Sequence, residues 1–224
     1  LHDVGGERGD AAALAALGAA RELAPTDPLV IEALVEVHER AGRIDDAAAV
    51  LGALDTPEAA ARQARMFRSA GRVADALAVD RARAARAPDD LAAAWRIDGA
   101  LEELGLDDDR LVHLATLAER ERDPARRGYA RVAAARLAEA AGDNAAAIEL
   151  YKQTLADWPD DRFTHAALLA ALRRVGRWDE LAAARRAQAD GLADGAEVTR
   201  ALREAGWLYE DRLARPRDAL AVYR

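Results

Sequence analysis

The sequence predicts an all-α fold, an α-solenoid of about six stacked helix-turn-helix pairs covering the whole chain. Three observations predict it. Just over a quarter of the residues are alanine, the best helix former, while aromatic residues make up only 4%, so almost no sheet is expected. Single glycines recur at Gly9, Gly42, Gly71, Gly105, Gly142 and Gly176, at a mean spacing close to the roughly 34 residues of a helical-hairpin repeat. Between these glycines the apolar residues follow helical stripes, and both signs of charge are interspersed, as on solvated helix faces.

The clearest unit runs over residues 128–161. Ahead of Gly142, the residues Val132, Ala135, Leu137, Ala138 and Ala141 fall mostly on one stripe; behind it, Ala147, Ile148, Leu150, Tyr151 and Leu155 do the same. Gly142-Asp143-Asn144 breaks the two, since glycine takes positive φ at no cost and Asp or Asn caps the next helix. Trp158-Pro159 closes the second helix, because proline disfavours helix at the residue before it. Two short amphipathic helices cannot bury their apolar faces alone, so such a unit must stack on copies of itself.

Ala147, Tyr151 and Pro159, an alanine followed four residues later by an aromatic and eight beyond that by a proline, resemble the signature of the tetratricopeptide repeat (TPR) family. The front half departs from it: Ala135 and Ala138 stand where the family prefers glycine and tyrosine. The resemblance implies a right-handed superhelix whose first helices line a concave groove.

The remaining units restate this plan. Residues 1–27 hold a partial unit, a second helix from Asp10 to Leu23 closed by Pro25. Unit 28–56 opens with Asp27 as N-cap and Pro28 at the first helical position. Unit 57–90 opens on Thr56-Pro57-Glu58, with Ala76 as packing alanine and Pro88 closing it. In unit 91–123 either Arg110 or Leu111 takes the alanine position. Asp123-Pro124 starts a longer helix in unit 124–161. Unit 162–195 turns at Gly176-Arg177-Trp178-Asp179, and Gly191 to Gly195 reads as a flexible insert. The last unit, 199–224, places Gly206 and Tyr209 at the family's glycine and tyrosine positions and continues through Pro216, Ala219 and Tyr223. Terminal repeats need polar outer faces, and Leu220, Val222 and Tyr223 do not supply one. The chain is therefore expected to continue beyond Arg224, and also before Leu1, as a segment of a larger bacterial protein.

Composition narrows the function. The net charge is −8, which argues against general nucleic-acid binding. No apolar run approaches the ~18 residues of a membrane span. Without cysteine there is no disulfide framework or thiolate metal site. Lys152 is the sole lysine, and the arginine excess reads as GC-rich coding bias. No two of His2, His38, His113 and His165 sit at metal-ligand spacing, and His38 reads as a packed histidine. Ser69 is the only serine, which leaves almost nothing for nucleophilic catalysis. Asp107-Asp108-Asp109 reads as a solvated turn with an aspartate N-cap rather than a cation site. No enzyme activity, cofactor or metal is expected. Trp158, Trp178 and Trp207 read as packing residues, and Trp95 lies between core and groove.

Function is then expected in the groove that the resemblance implies. Carried onto this sequence, the groove positions are Glu32, Glu36 and Glu39; Arg62, Arg65 and Arg68; Trp95, Arg96 and Glu102; Tyr129, Val132 and Arg136; and Phe163, Ala166 and Arg173. The expected binding set is Arg62, Arg65, Trp95, Arg96, Tyr129 and Arg136, flanked by the acidic Glu32 and Glu36. It would hold a carboxylate-bearing protein or peptide partner, with Trp95 or Tyr129 taking an apolar side chain. In the competing arrangement the glutamates pair with the arginines of the next helix. The family's chaperone-tail clamp pairs lysine or arginine with asparagines at such positions, and the sole asparagine, Asn144, lies in a turn. The expected role is an adaptor or scaffold. The alternatives are a regulatory arm of a larger multidomain protein and a self-assembling module that associates through its ends.

Overall fold

The computed structural model describes the backbone of residues 4–224 and the side chains of residues 11–224. Thirteen helices and one π-helical turn make up the fold, with no strand among the described residues. Two compact units divide the chain after Leu106. The first holds α1 (Val4–Leu23), α2 (Pro28–Arg40), α3 (Ile44–Gly52), α4 (Pro57–Ser69), α5 (Val73–Arg86) and α6 (Leu91–Glu103). The second holds α7 (Asp107–Arg120), α8 (Pro124–Ala140), α9 (Asn144–Asp157), α10 (Arg162–Val175), α11 (Trp178–Asp190), α12 (Gly195–Trp207) and α13 (Pro216–Tyr223). In each unit every helix packs on its sequence neighbours, as expected of a chain of helical hairpins.

The hairpins close as their sequences dictate. Gly42, Gly71, Gly105, Gly142 and Gly176 all have φ between 64° and 85°, a left-handed conformation that costs any residue with a Cβ about 1–2 kcal/mol. The starts of the first helices are equally explicit. Asp27 accepts from the amides of Leu29 (2.8 Å) and Val30 (3.3 Å), with Pro28 at the first helical position. Thr56 caps Ala59 at 3.1 Å ahead of Pro57, and Asp123 caps Ala125 and Arg126 ahead of Pro124. Asp143 caps α9 through the amide of Ala146, while Asn144 is its first residue.

The core of the first unit is built on Ile31, Leu34, Val35, Val50, Leu51 and Met66, then Phe67 and Ala76, then Leu77, Ile97 and Leu101. That of the second runs continuously from Ala135 and Ala138 through Ile148, Tyr151, Leu168, Leu172 and Leu181 to Leu208 and Val222. The alanine position five residues after each turn glycine is buried at Ala47, Ala76 and Ala147. In α7 this position is Arg110, which is buried where Leu111 is only partly so, and this settles the register.

Several expectations are corrected. Gly9 is not a turn: it lies inside α1, which is continuous from Val4 to Leu23. His2 lies outside the described residues. Asp107 is not an N-cap but the first residue of α7, with Asp108 and Asp109 exposed in the same turn. Trp158 and Trp207 are only partly packed, at 43% and 46% exposed, whereas Trp178 is packed against the core. The guanidinium of Arg212 lies 5.2 Å from the Trp178 ring and 5.5 Å from the Trp207 ring, so one cation contacts both indoles. The last hairpin also departs from the repeat: α12 runs into the π-helical turn Leu208–Arg212 before Pro216 restarts a helix. Gly206 is needed there for close approach, since a Cβ would lie 2.2 Å from the Tyr223 ring.

Candidate partner-binding surface

The first helices of the hairpins are α2, α4, α6, α8, α10 and α12. Counted back from the turn glycine, their solvent-facing positions fall into two tiers.

One tier is engaged in ion pairs. In the first unit Arg62 bonds Glu32 at 2.5 Å and Glu39 at 3.5 Å, joining α4 to α2. Arg68 lies 3.4 Å from Glu103, joining α4 to α6. In the second unit Arg174 bonds Glu139 at 3.0 Å and Arg173 bonds Glu204, joining α10 to both α8 and α12. The second helices carry a matching series: Asp45 with Arg72 (2.8 Å), Lys152 with Glu180 (2.6 Å) and Asp179 with Arg215 (2.6 Å). Hydrogen bonding to Glu32 raises the Arg62 pKa, with the Glu32 and Glu39 charges adding to it against desolvation. For Glu32 the competing arrangement, pairing with the next helix, is the one observed.

Arg96 belongs to a different environment. Its Nε donates to Asp80 Oδ1 at 2.8 Å and its Nη2 lies 2.7 Å from the same oxygen. Asp80 is 1% exposed, on α5. Burial pushes the Asp80 carboxyl above its ordinary range, and the adjoining Arg96 guanidinium only partly offsets this. This partner is not legible in the sequence, because an aspartate inside a second helix reads as solvated until the facing arginine is placed.

The other tier is open. Six residues ahead of their turn glycines stand Glu36, Arg65 and Arg136, all exposed and without an ion-pair partner among the described residues. Thirteen residues ahead stand Leu29, Tyr129 and Phe163, which are 81%, 52% and 85% exposed. Three large apolar side chains thus share one repeat position without being needed by the core. Leu29 was not among the expected site residues, although its register against Gly42 matches that of Tyr129 against Gly142 and Phe163 against Gly176. Among the other expected residues, Ala166 and Glu102 are exposed, Trp95 is half-buried on α6, and Val132 packs partly on the core.

In the first unit this surface is concave beside Arg65. An open pocket of about 540 Å³ there is lined by Glu39, Arg62, Arg65, Met66 and Ser69. No group of three or more metal-ligating side chains occurs among the described residues. His38 is packed, its Nδ1 accepting from Arg43 Nε at 3.2 Å. No described helix is long and apolar enough to cross a membrane.

No family model matches the chain, and no curated protein matches it in sequence. Solved structures resemble it at low identity. A MamA structure, labelled AMB-1, is 20% identical over 71% of this chain and 89% of that one, with a TM-score of 0.49. YrrB, described as a TPR protein with an unusual peptide-binding site, is 12% identical over 75% and 83%, with a TM-score of 0.48. MamA from Desulfovibrio magneticus RS-1 is 13% identical over 74% and 90%, with a TM-score of 0.45. The likeness is one of fold, and in its fold this chain is an all-α array of degenerate, tetratricopeptide-like helix pairs.

Proposed function

We propose that the protein is an interaction scaffold that takes a segment of a partner protein on the open tier of first helices within a unit, α2 and α4 in the first or α8 and α10 in the second. The supporting observation is the recurrence of Leu29, Tyr129 and Phe163 at one exposed repeat position. A helix whose only task is to fill a stack gains nothing from a large apolar side chain in water, and burying one contributes roughly 1.5–3 kcal/mol. Arg65 and Glu36 in the first unit and Arg136 in the second are exposed with no ion-pair partner among the described residues, and can orient the segment. Arg62, Arg96 and Arg173 then serve mainly to hold helix to helix. An acidic partner fits Arg65 and Arg136 best.

Selection of a random peptide library on the chain tests this. Enriched peptides should carry an apolar residue near an acidic one. Phe163→Ala should weaken their binding by about tenfold or more, with helicity unchanged. Equal enrichment on a chain carrying Leu29→Ser, Tyr129→Ser and Phe163→Ser together would refute the proposal.

A further inference from the structure

The start of α10, the end of α11 and the start of α12 line a small open pocket of about 160 Å³, with Leu192 and Ala201 in its wall. Three guanidinium groups line it, from Arg162 on α10, Arg185 on α11 and Arg200 on α12, together with the Gln188 amide. One carboxylate, Glu197, lines it as well, and its pair with Arg162 is loose at 3.5 Å. Arg185 places Nη2 2.7 Å from Glu204 and Nη1 2.7 Å from Gln188 Oε1, which leaves its Nε without an acceptor. Arg200 is exposed and has no ion-pair partner among the described residues. Asp194 caps α12 through the Ala196 amide at 2.8 Å, and Asp160 lies against Gly191 at the edge of the pocket. The Arg185 Nε and the Arg200 guanidinium are therefore the donors left over at this pocket among the described residues.

We infer that this pocket seats one carboxylate from an acidic side chain of a partner peptide. Its volume of about 160 Å³ accommodates a carboxylate with its first methylene. The planar fork of arginine matches the two oxygens of a carboxylate. Glu197 at the wall disfavours a second negative charge, so a monoanion fits better than a phosphate. The site shares no residue with the first-helix surface proposed above and stands independently of it.

The test is a titration of the isotopically labelled chain with N-acetylglutamic acid α-amide, N-acetylglutamine amide and inorganic phosphate, read by the backbone amide signals of residues 192–201. The carboxylate probe should give saturable shifts and its neutral amide none. Arg200→Gln should weaken the carboxylate probe about tenfold. Arg203→Gln, which removes an exposed charge from the same helix outside the pocket, should change it less than about twofold. The inference is overturned if no shift saturates, if both substitutions act equally, or if phosphate binds more tightly than the carboxylate. None of these outcomes alters peptide binding at Phe163, so the two proposals fail separately.

Discussion

Replacing Asp80 by alanine should be among the most damaging single changes in the first unit. Asp80 is 1% exposed, and Arg96 donates Nε to its Oδ1 at 2.8 Å, with Nη2 in ion-pair contact at 2.7 Å but not hydrogen-bonded. Deleting one member of a buried pair costs about 3–5 kcal/mol, since the survivor stays desolvated without its counter-charge. The Arg96 side chain is 23% exposed and can partly reach water, which places the loss near 3 kcal/mol, the lower end of that range. Asp80→Asn keeps the shape and one acceptor and should lose less. Asp80→Leu combined with Arg96→Met removes both charges and should return to within about 1 kcal/mol of the parent. Urea unfolding followed by far-ultraviolet dichroism measures the parent, these three variants, and the single changes Asp80→Leu and Arg96→Met. A loss below 1 kcal/mol for Asp80→Ala, or a double variant as unstable as the sum of its single changes, would refute the reasoning.

The phenol of Tyr151 is fully buried and donates to Glu139 at 2.9 Å; Tyr151→Phe should cost about 1.5–3 kcal/mol in thermal or urea unfolding. Burial first, and then the bond to Glu139, push the Tyr151 pKa well above its ordinary value. The stability this represents is present below pH about 10 and lost as the pH climbs above it, and ultraviolet titration should find this tyrosine ionising later than a free phenol. Arg127, with Arg131, holds the Asp157 carboxyl below its ordinary range. Its contribution is present at neutral pH and lost as pH falls below about 4, so Asp157→Asn should lower the melting temperature at pH 7 and leave it unchanged near pH 2. Gly142→Ala places a Cβ at φ 85° and should cost about 1–2 kcal/mol, seen as a lower melting temperature with the same helical content.

Backbone events were the legible part of the fold. Each turn glycine from Gly42 to Gly176, each Asp-Pro or Thr-Pro helix start, and the closing prolines Pro88 and Pro159 act through their own residue's φ or missing amide, so a local reading suffices. Gly9 misled because the spacing was right while the surrounding alanines favour continued helix. The π-helical turn after Trp207 leaves no mark in the hydrophobic period. In the candidate site, positions were legible and partners were not. Periodicity places Arg62, Arg65 and Arg96 on first helices, but which of them is free depends on residues 16 to 30 positions away. Arg96 turns to a buried aspartate, Arg62 to two glutamates, and Arg65 to none among the described residues.

The most direct test of the central claim is an amide footprint of a library-selected peptide bound to the labelled chain. The claim predicts that shifts cluster on first helices, around Leu29, Glu36 and Arg65 in α2 and α4 or around Tyr129, Arg136 and Phe163 in α8 and α10. Shifts confined to the second helices α3, α5, α9 and α11, with the first helices silent, would contradict it.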